Sequence, residues 1–170
     1  MGYKGKFKPK NISKYKGDFS AITYRSLWEL RFMRYLDSTS SIIKWSSEEI
    51  IIPYVSPLDG KRHRYFPDFW IRIKSVDGTI KERVIEIKPK HQTQPPKGGP
   101  PKDRRKRRRY IKEVKTWGVN EAKWKAAVSY CTQRNWKFQI LTEDNLTKYQ
   151  HGRINTRRSF RQTEDSNKNK

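Results

Sequence analysis

The chain has 170 residues, enough for one ordinary domain and too few for two. Its 40 Lys and Arg against 17 Asp and Glu give a formal charge of +23, which calls for a polyanionic partner, nucleic acid before an anionic membrane. Nothing reads as a transmembrane span, a signal peptide or a clean basic amphipathic helix, and Met1-Gly2-Tyr3-Lys4-Gly5-Lys6 lacks the Ser or Thr of a myristoylation signal, so a soluble protein with no membrane partner is expected.

Residues 1–20 carry six lysines and one acid, Asp18, among Gly, Pro and Asn, and are expected to be a basic extension without fixed structure. A folded domain should occupy 21–149. Within it, 24–37 place Trp28, Phe32, Tyr35 and Leu36 at helical spacing, ended by Asp37-Ser38-Thr39. Residues 49–55 hold a β-branched run broken by Pro53, an edge or bent strand. Residues 64–74 alternate, with Tyr65, Phe69, Ile71 and Ile73 on one side and Asp68, Trp70, Arg72 and Lys74 on the other. Asp77-Gly78 marks a turn, and 80–88 alternate again, Ile85 and Ile87 opposing Val84, Glu86 and Lys88. Residues 89–109 (PKHQTQPPKGGPPKDRRKRRR) read as a Pro/Gly/Arg-rich insertion. A helix over about 104–117 should stop near Gly118, and Asn120 should cap a second one over 121–134, with Trp124, Ala127, Val128 and Cys131 as its apolar stripe. Residues 136–142 form a last strand, and 150–170 a basic polar tail expected, like 1–20, to lack fixed structure.

Cys131 is the only cysteine and His63, His91 and His151 are scattered, so neither a disulfide nor a zinc finger can form, and any metal must be held mainly by carboxylate oxygens. The chemistry-bearing pattern is Pro67-Asp68 and, beyond the turn, Glu86-Ile87-Lys88. A hairpin would bring Asp68 beside Glu86, but parity matters. A strict two-residue loop at 77–78 pairs Asp68 with Ile87 and turns Glu86 to the wrong face, so sharing a cation requires a three- or five-residue loop or a bulge. Phosphodiester hydrolysis needs an activated water and neutralised phosphate charge. Mg²⁺ or Mn²⁺ on Asp68, Glu86 and the Ile87 carbonyl would supply both, with Lys88 orienting the water or stabilising developing charge.

Each piece also has an ordinary reading. A Glu-x-Lys pair is most often a solvated sheet surface, Ser26-Leu27-Trp28-Glu29 fits a helix capping box, and Lys102 with Arg104, Arg105, Lys106, Arg107, Arg108 and Arg109 reads as a solvated or localisation-like run as readily as a DNA-binding one. The order of the pieces argues for the joint reading.

A carboxylate on the first helix (Glu29), Pro67-Asp68 on a strand and Glu86-Ile87-Lys88 on the next resemble the PD-(D/E)xK nuclease superfamily. The resemblance implies a restriction-endonuclease-like α/β fold with an αβββαβ core, a mixed four-stranded sheet flanked by helices. Longer stretches resemble the head completion nucleases of T4-like bacteriophages: Pro9-Lys10-Asn11, Ile22-Thr23-Tyr24-Arg25-Ser26, Ile85-Glu86-Ile87-Lys88-Pro89-Lys90, Thr93-Gln94-Pro95-Pro96 and Lys123-Trp124-Lys125-Ala126-Ala127. This resemblance implies that Asp68 and Glu86 bind metal, that Lys88 assists catalysis and that Glu29 contacts a metal or its water. It also implies double-stranded DNA as substrate, portal, neck or tail-attachment proteins as partners, and the host cytoplasm during assembly, or the virion, as location. A weaker likeness is to the DNA-cutting subunit of certain transposases. A catalytically silent structural DNA-binding factor of the virion is the alternative, although acids facing phosphate disfavour binding unless a cation lies between.

Overall fold

A computed structural model describes residues 3–147; the expected tail at 150–170 lies outside the described residues. Two short strands, β1 (Gly5–Lys6) and β2 (Thr23–Tyr24), pair ahead of helix α1 (Leu27–Ser38). Strands β3 (Ile42–Ser47), β4 (Ile52–Val55), β5 (Arg62–Tyr65), β6 (Phe69–Lys74) and β7 (Ile80–Ile87) follow. Helix α2 (Arg104–Thr132), strand β8 (Lys137–Leu141) and the single-turn α3 (Glu143–Leu146) complete the described chain. The main sheet has the order β3-β6-β7-β8, antiparallel except for the parallel β7–β8 pair, which α2 connects. This is the expected mixed four-stranded sheet with helices on both faces.

The first strand of that sheet is not the expected one. The β-branched run at 49–55 supplies β4, which pairs only with β5 in a separate two-stranded ribbon, while the sheet begins with β3 at 42–47. A bulge hides β3 from periodicity: Ile42 pairs with Ile73 and Lys44 with Arg72, leaving Ile43 as the extra residue. Ile42 and Trp45, three apart, therefore share the buried face, at 1% and 0% exposure. The stretch 64–74 likewise divides. Phe66-Pro67-Asp68 separates β5 from β6, and Tyr65 packs with Ile52, Tyr54 and Ala127 rather than with Phe69.

One face of the sheet is sealed by α1. Phe32, Met33 and Leu36 meet Ile42, Trp45, Phe69, Ile71, Ile85 and Leu141 in a fully apolar layer. The N-terminal segment, expected to lack structure, completes this layer. Phe7 and Tyr15 pack edge-on against Trp45 with ring centroids 5.9 and 4.8 Å away. Buried Asp37, at the end of α1, accepts the backbone N–H groups of Lys10 (2.8 Å) and Asn11 (3.2 Å), and Lys14 Nζ donates to the carbonyls of Asp37 and Thr39. Two aromatic anchors and a hydrogen-bonded carboxylate offset the ordering entropy that low mean hydropathy alone leaves uncovered.

Helix α2 also departs from expectation. It runs unbroken through Gly118, beginning at the N-cap Asp103, whose Oδ1 accepts Lys106 N–H at 2.8 Å. Asn120 is a buried interior residue, not a cap, and the insertion's Arg104–Arg109 form the helix's first turns. A glycine inside a helix costs about 1 kcal/mol. Packing of Val119, Ala122, Ala126 and Ala127 on Ile52, Tyr54 and Tyr65 outweighs it. Of the expected apolar stripe, Ala127 and Cys131 are buried, whereas Val128 is 52% exposed. Among the described residues no helix is long and apolar enough to cross a membrane.

Candidate active site

The site sits where β7 and β8 both end, at the carboxyl edge of the parallel pair. The hairpin joining β6 to β7 decides whether its acids meet. Ser75 N–H donates to the Thr79 carbonyl at 2.8 Å, leaving the three-residue loop Val76-Asp77-Gly78 with Gly78 at φ +82°. Asp77 Oδ1 holds the turn by accepting the Thr79 hydroxyl at 2.7 Å and its N–H at 3.0 Å. The loop is one residue longer than the strict hairpin, so the register is shifted as the parity argument requires. Phe69 stands opposite Ile85, and one step further Asp68 is level with Glu86.

Glu86 is only 4% exposed. Its two oxygens are held separately: the Tyr65 hydroxyl donates to Oε2 at 2.7 Å and Lys88 Nζ pairs with Oε1 at 2.9 Å. Asp68 Oδ2 accepts the Ile87 N–H at 2.6 Å. Because the N–H and C=O of one strand residue point to the same edge, the Ile87 carbonyl is directed toward the Asp68 side. Burial and the charge of Glu86 push the Asp68 carboxyl well above the ordinary carboxylate range, against the Ile87 hydrogen bond and Lys88. Burial acts to lower the Lys88 ammonium, but Glu86, Asp68 and Glu29 together raise it. The Tyr65 phenol is pushed far up by burial and by Glu86, so it stays a donor.

Glu29 lies on the first turn of α1, near enough that its charge is felt by Asp68 and Lys88. Its oxygens are engaged locally, Oε1 by the Ser26 hydroxyl at 2.9 Å and Oε2 by the Arg25 N–H at 2.7 Å, so the capping role is real. The structure thus brings Asp68, Glu86 and Lys88 together and leaves Glu29 at their margin. Among the described residues no three His, Cys, Asp or Glu side chains converge to cage a metal. Lys102 and Arg104–Arg109 are exposed at the start of α2, and Arg109 Nε pairs with Glu113 at 3.0 Å.

Three site residues escaped the sequence reading. Strict alternation puts Tyr65 on the Phe69 side, but Pro67 interrupts the strand between them and turns Tyr65 to the opposite face. Lys123 sits above the rings of Tyr54 and Tyr65, 5.7 and 5.6 Å from their centroids. Burial lowers its ammonium pKa, and the charges of Glu86, Lys88 and Asp68 all reach it. The signal was its place one turn before buried Ala127, on the sheet-facing stripe of α2. Arg25 pairs with Glu48, and the charges of Glu29 and Asp68 also reach its guanidinium.

Comparison with known proteins adds the lineage. The sequence model for "TnsA-like endonuclease N terminal" matches residues 39–143, taking in Asp68, Glu86, Lys88 and Lys123 but not Glu29. The head completion nuclease of Enterobacteria phage T4 is 49% identical over 146 residues, covering 86% of this chain and 95% of that protein. The chain is a member of the head completion nuclease family, built on a TnsA-like endonuclease domain.

Proposed function

We propose that this protein is a metal-dependent DNA endonuclease that hydrolyses phosphodiester bonds of packaged double-stranded DNA near the portal, in the host cytoplasm, before the tail attaches. The observation that carries the reading is the level placement of Asp68 and Glu86 at the open end of one hairpin, with Lys88 Nζ 2.9 Å from Glu86. The relative in phage T4 supports the head-completion context, and its match extends beyond the TnsA-like one to include α1.

The residues present fit a divalent cation. Two carboxylates forced together, one of them raised by burial and by its neighbour, are relieved by positive charge between them. Asp68, Glu86 and the Ile87 carbonyl would hold Mg²⁺ or Mn²⁺, with water and phosphate completing the shell, as suits a hard cation that keeps several waters. When bound, such an ion neutralises phosphate charge and makes its water more acidic. Tyr65 fixes the Glu86 carboxylate through Oε2. Lys88, released from Glu86, turns its ammonium to the scissile phosphate or the attacking water. Lys123 adds a second cation above the same acids. Glu29 would assist the metal or its water, and Lys102 with Arg104–Arg109 would hold DNA phosphates along the start of α2.

Plasmid cleavage by purified protein with Mg²⁺, Mn²⁺ or EDTA tests the proposal. Nicking or linearisation should appear with either ion, stop in EDTA and be absent in Asp68→Ala. Cleavage by Asp68→Ala equal to wild type, or undiminished in EDTA, would sink it.

A further inference from the structure

Beside the carboxylate site lies a cleft of about 900 Å³ between the segment 90–97 and α2. The Tyr110 hydroxyl, donating to the Gly98 carbonyl at 2.8 Å, ties the far end of that segment to the helix. Both of its walls lead along the chain to the site. On one, Lys90 follows Lys88 by two residues. On the other, Lys112, Thr116 and Asn120 form one stripe of α2, and the next residue along it is Lys123.

Its lining has the chemistry of unpaired nucleotides. Lys90, Lys97, Arg109 and Lys112 offer charge to phosphates, with Glu113 and Glu143 the acids among the described lining residues. Lys90 is already paired with Asp144 and Arg109 with Glu113, whereas Lys97 and Lys112 have no ion-pair partner among the described residues. Gln92, Gln94 and the buried Asn120 present amides suited to base edges, and half-buried Trp117, braced edge-on by Trp124 at 5.7 Å, offers a face for a base. A volume of about 900 Å³ is that of a pocket for a compact ligand, room for roughly one or two nucleotides and not for a duplex.

We infer that this cleft takes the single-stranded segment of a DNA end or fork, and so directs the adjacent site to frayed or overhanging termini. The inference rests on the endonuclease reading for its purpose but not for its test, since binding is measured without metal. In EDTA, fluorescence anisotropy compares a labelled blunt duplex with the same duplex carrying a six-nucleotide overhang. Base stacking on one aromatic side chain together with the added phosphate contacts should favour the overhang by roughly tenfold or more in Kd. Trp117→Leu should collapse that preference and remove the quenching of tryptophan fluorescence by the overhang. The double change Lys97→Ser with Lys112→Ser, both on exposed side chains that leave the core intact, should reduce it several-fold. Equal wild-type affinity for the two DNAs overturns the inference, as does a preference unchanged in both variants. An acidic peptide that binds the cleft while the two DNAs bind equally would make it a protein-docking site, which also overturns it. Loss of metal-dependent plasmid cleavage with the overhang preference intact would count against the nuclease reading alone.

Discussion

The two faces of the sheet both bury apolar side chains, but only the α2 face gathers acids and cations together. Ile85 and Glu86 are neighbours on β7, at 0% and 4% exposure. Ile85 points into the apolar layer under α1; Glu86 points toward α2, where Tyr65, Lys88 and Lys123 gather around it. Both faces hold the sheet, and the α2 face also holds an acid–cation cluster at the end of β7, where charge is costly. Burial by itself therefore does not mark the site. Buried charge with a cationic neighbour does.

The comparison predicts that the faces can be damaged independently. The largest effect should come from Phe32→Ala on the α1 side, where a fully buried ring is lost: about 3–5 kcal/mol of stability. Cleavage per folded molecule, assayed well below the melting transition, should stay near wild type. Denaturant unfolding read beside plasmid nicking checks this. Parallel loss of both would mean the α1 face shapes the chemistry and the division is false.

That division was partly legible in the sequence, for reasons that differ from element to element. β7 was readable from the alternation of Ile85 and Ile87 against Glu86 and Lys88, and α1 from the helical spacing of Trp28, Phe32, Tyr35 and Leu36. β3 was not, since the bulge at Ile43 puts Ile42 and Trp45 on one face against strict alternation. The order of helix carboxylate, Pro-Asp and Glu-x-Lys marks the candidate acids, and the parity of the turn between them gives the register they need. Local signals failed where tertiary packing decides: Gly118 and Asn120 look like a helix break, yet their helix lies across the β4–β5 ribbon and is held straight through both. Lys123 was invisible as a site residue because its meaning comes from Glu86, thirty-seven positions away in sequence.

On the charged face, binding should separate from chemistry. Replacing Arg104, Arg105, Lys106, Arg107, Arg108 and Arg109 by Ser should weaken duplex affinity and flatten its salt slope by up to ~0.9 unit per lost phosphate contact. The single-turnover rate at saturating DNA should survive. Titrations at several salt concentrations decide the matter: an unchanged slope would make this start of α2 a merely solvated helix end.

Glu29 tests where the charged face stops, because it sits at the margin of the acids while capping α1. Glu29→Gln keeps an acceptor for the cap, so the melting temperature should hold. Removing its charge from the field around Asp68 and Lys88 should lower cleavage by about tenfold, the scale on which residues that support a metal site act. Cleavage unchanged beside an unchanged melt would leave Glu29 a cap and nothing more.

The smallest expected effect is on the stability of the metal-free protein, and its sign is the most discriminating. Burial and Glu86 raise the Asp68 carboxyl in the folded state. Between the ordinary carboxylate range and that raised value the native protein holds a proton that the unfolded chain has released. With more protons bound to the native state, stability must fall as pH rises through that window and stay reduced above it. Asp68→Asn keeps the shape and an oxygen for the Ile87 N–H while removing the charge, so in EDTA it should melt slightly above wild type at neutral pH and lose Asp68's share of the slope. Saturating Mg²⁺ should reverse the order. A ligand at a hundredfold its Kd stabilises the native state by ~2.7 kcal/mol, and only the wild-type pair of acids can hold it. Thermal melts at stepped pH, with and without Mg²⁺, should therefore show the two proteins exchanging rank. If wild type is the more stable in EDTA at neutral pH, the two acids do not oppose one another, and their pairing calls for no cation between them.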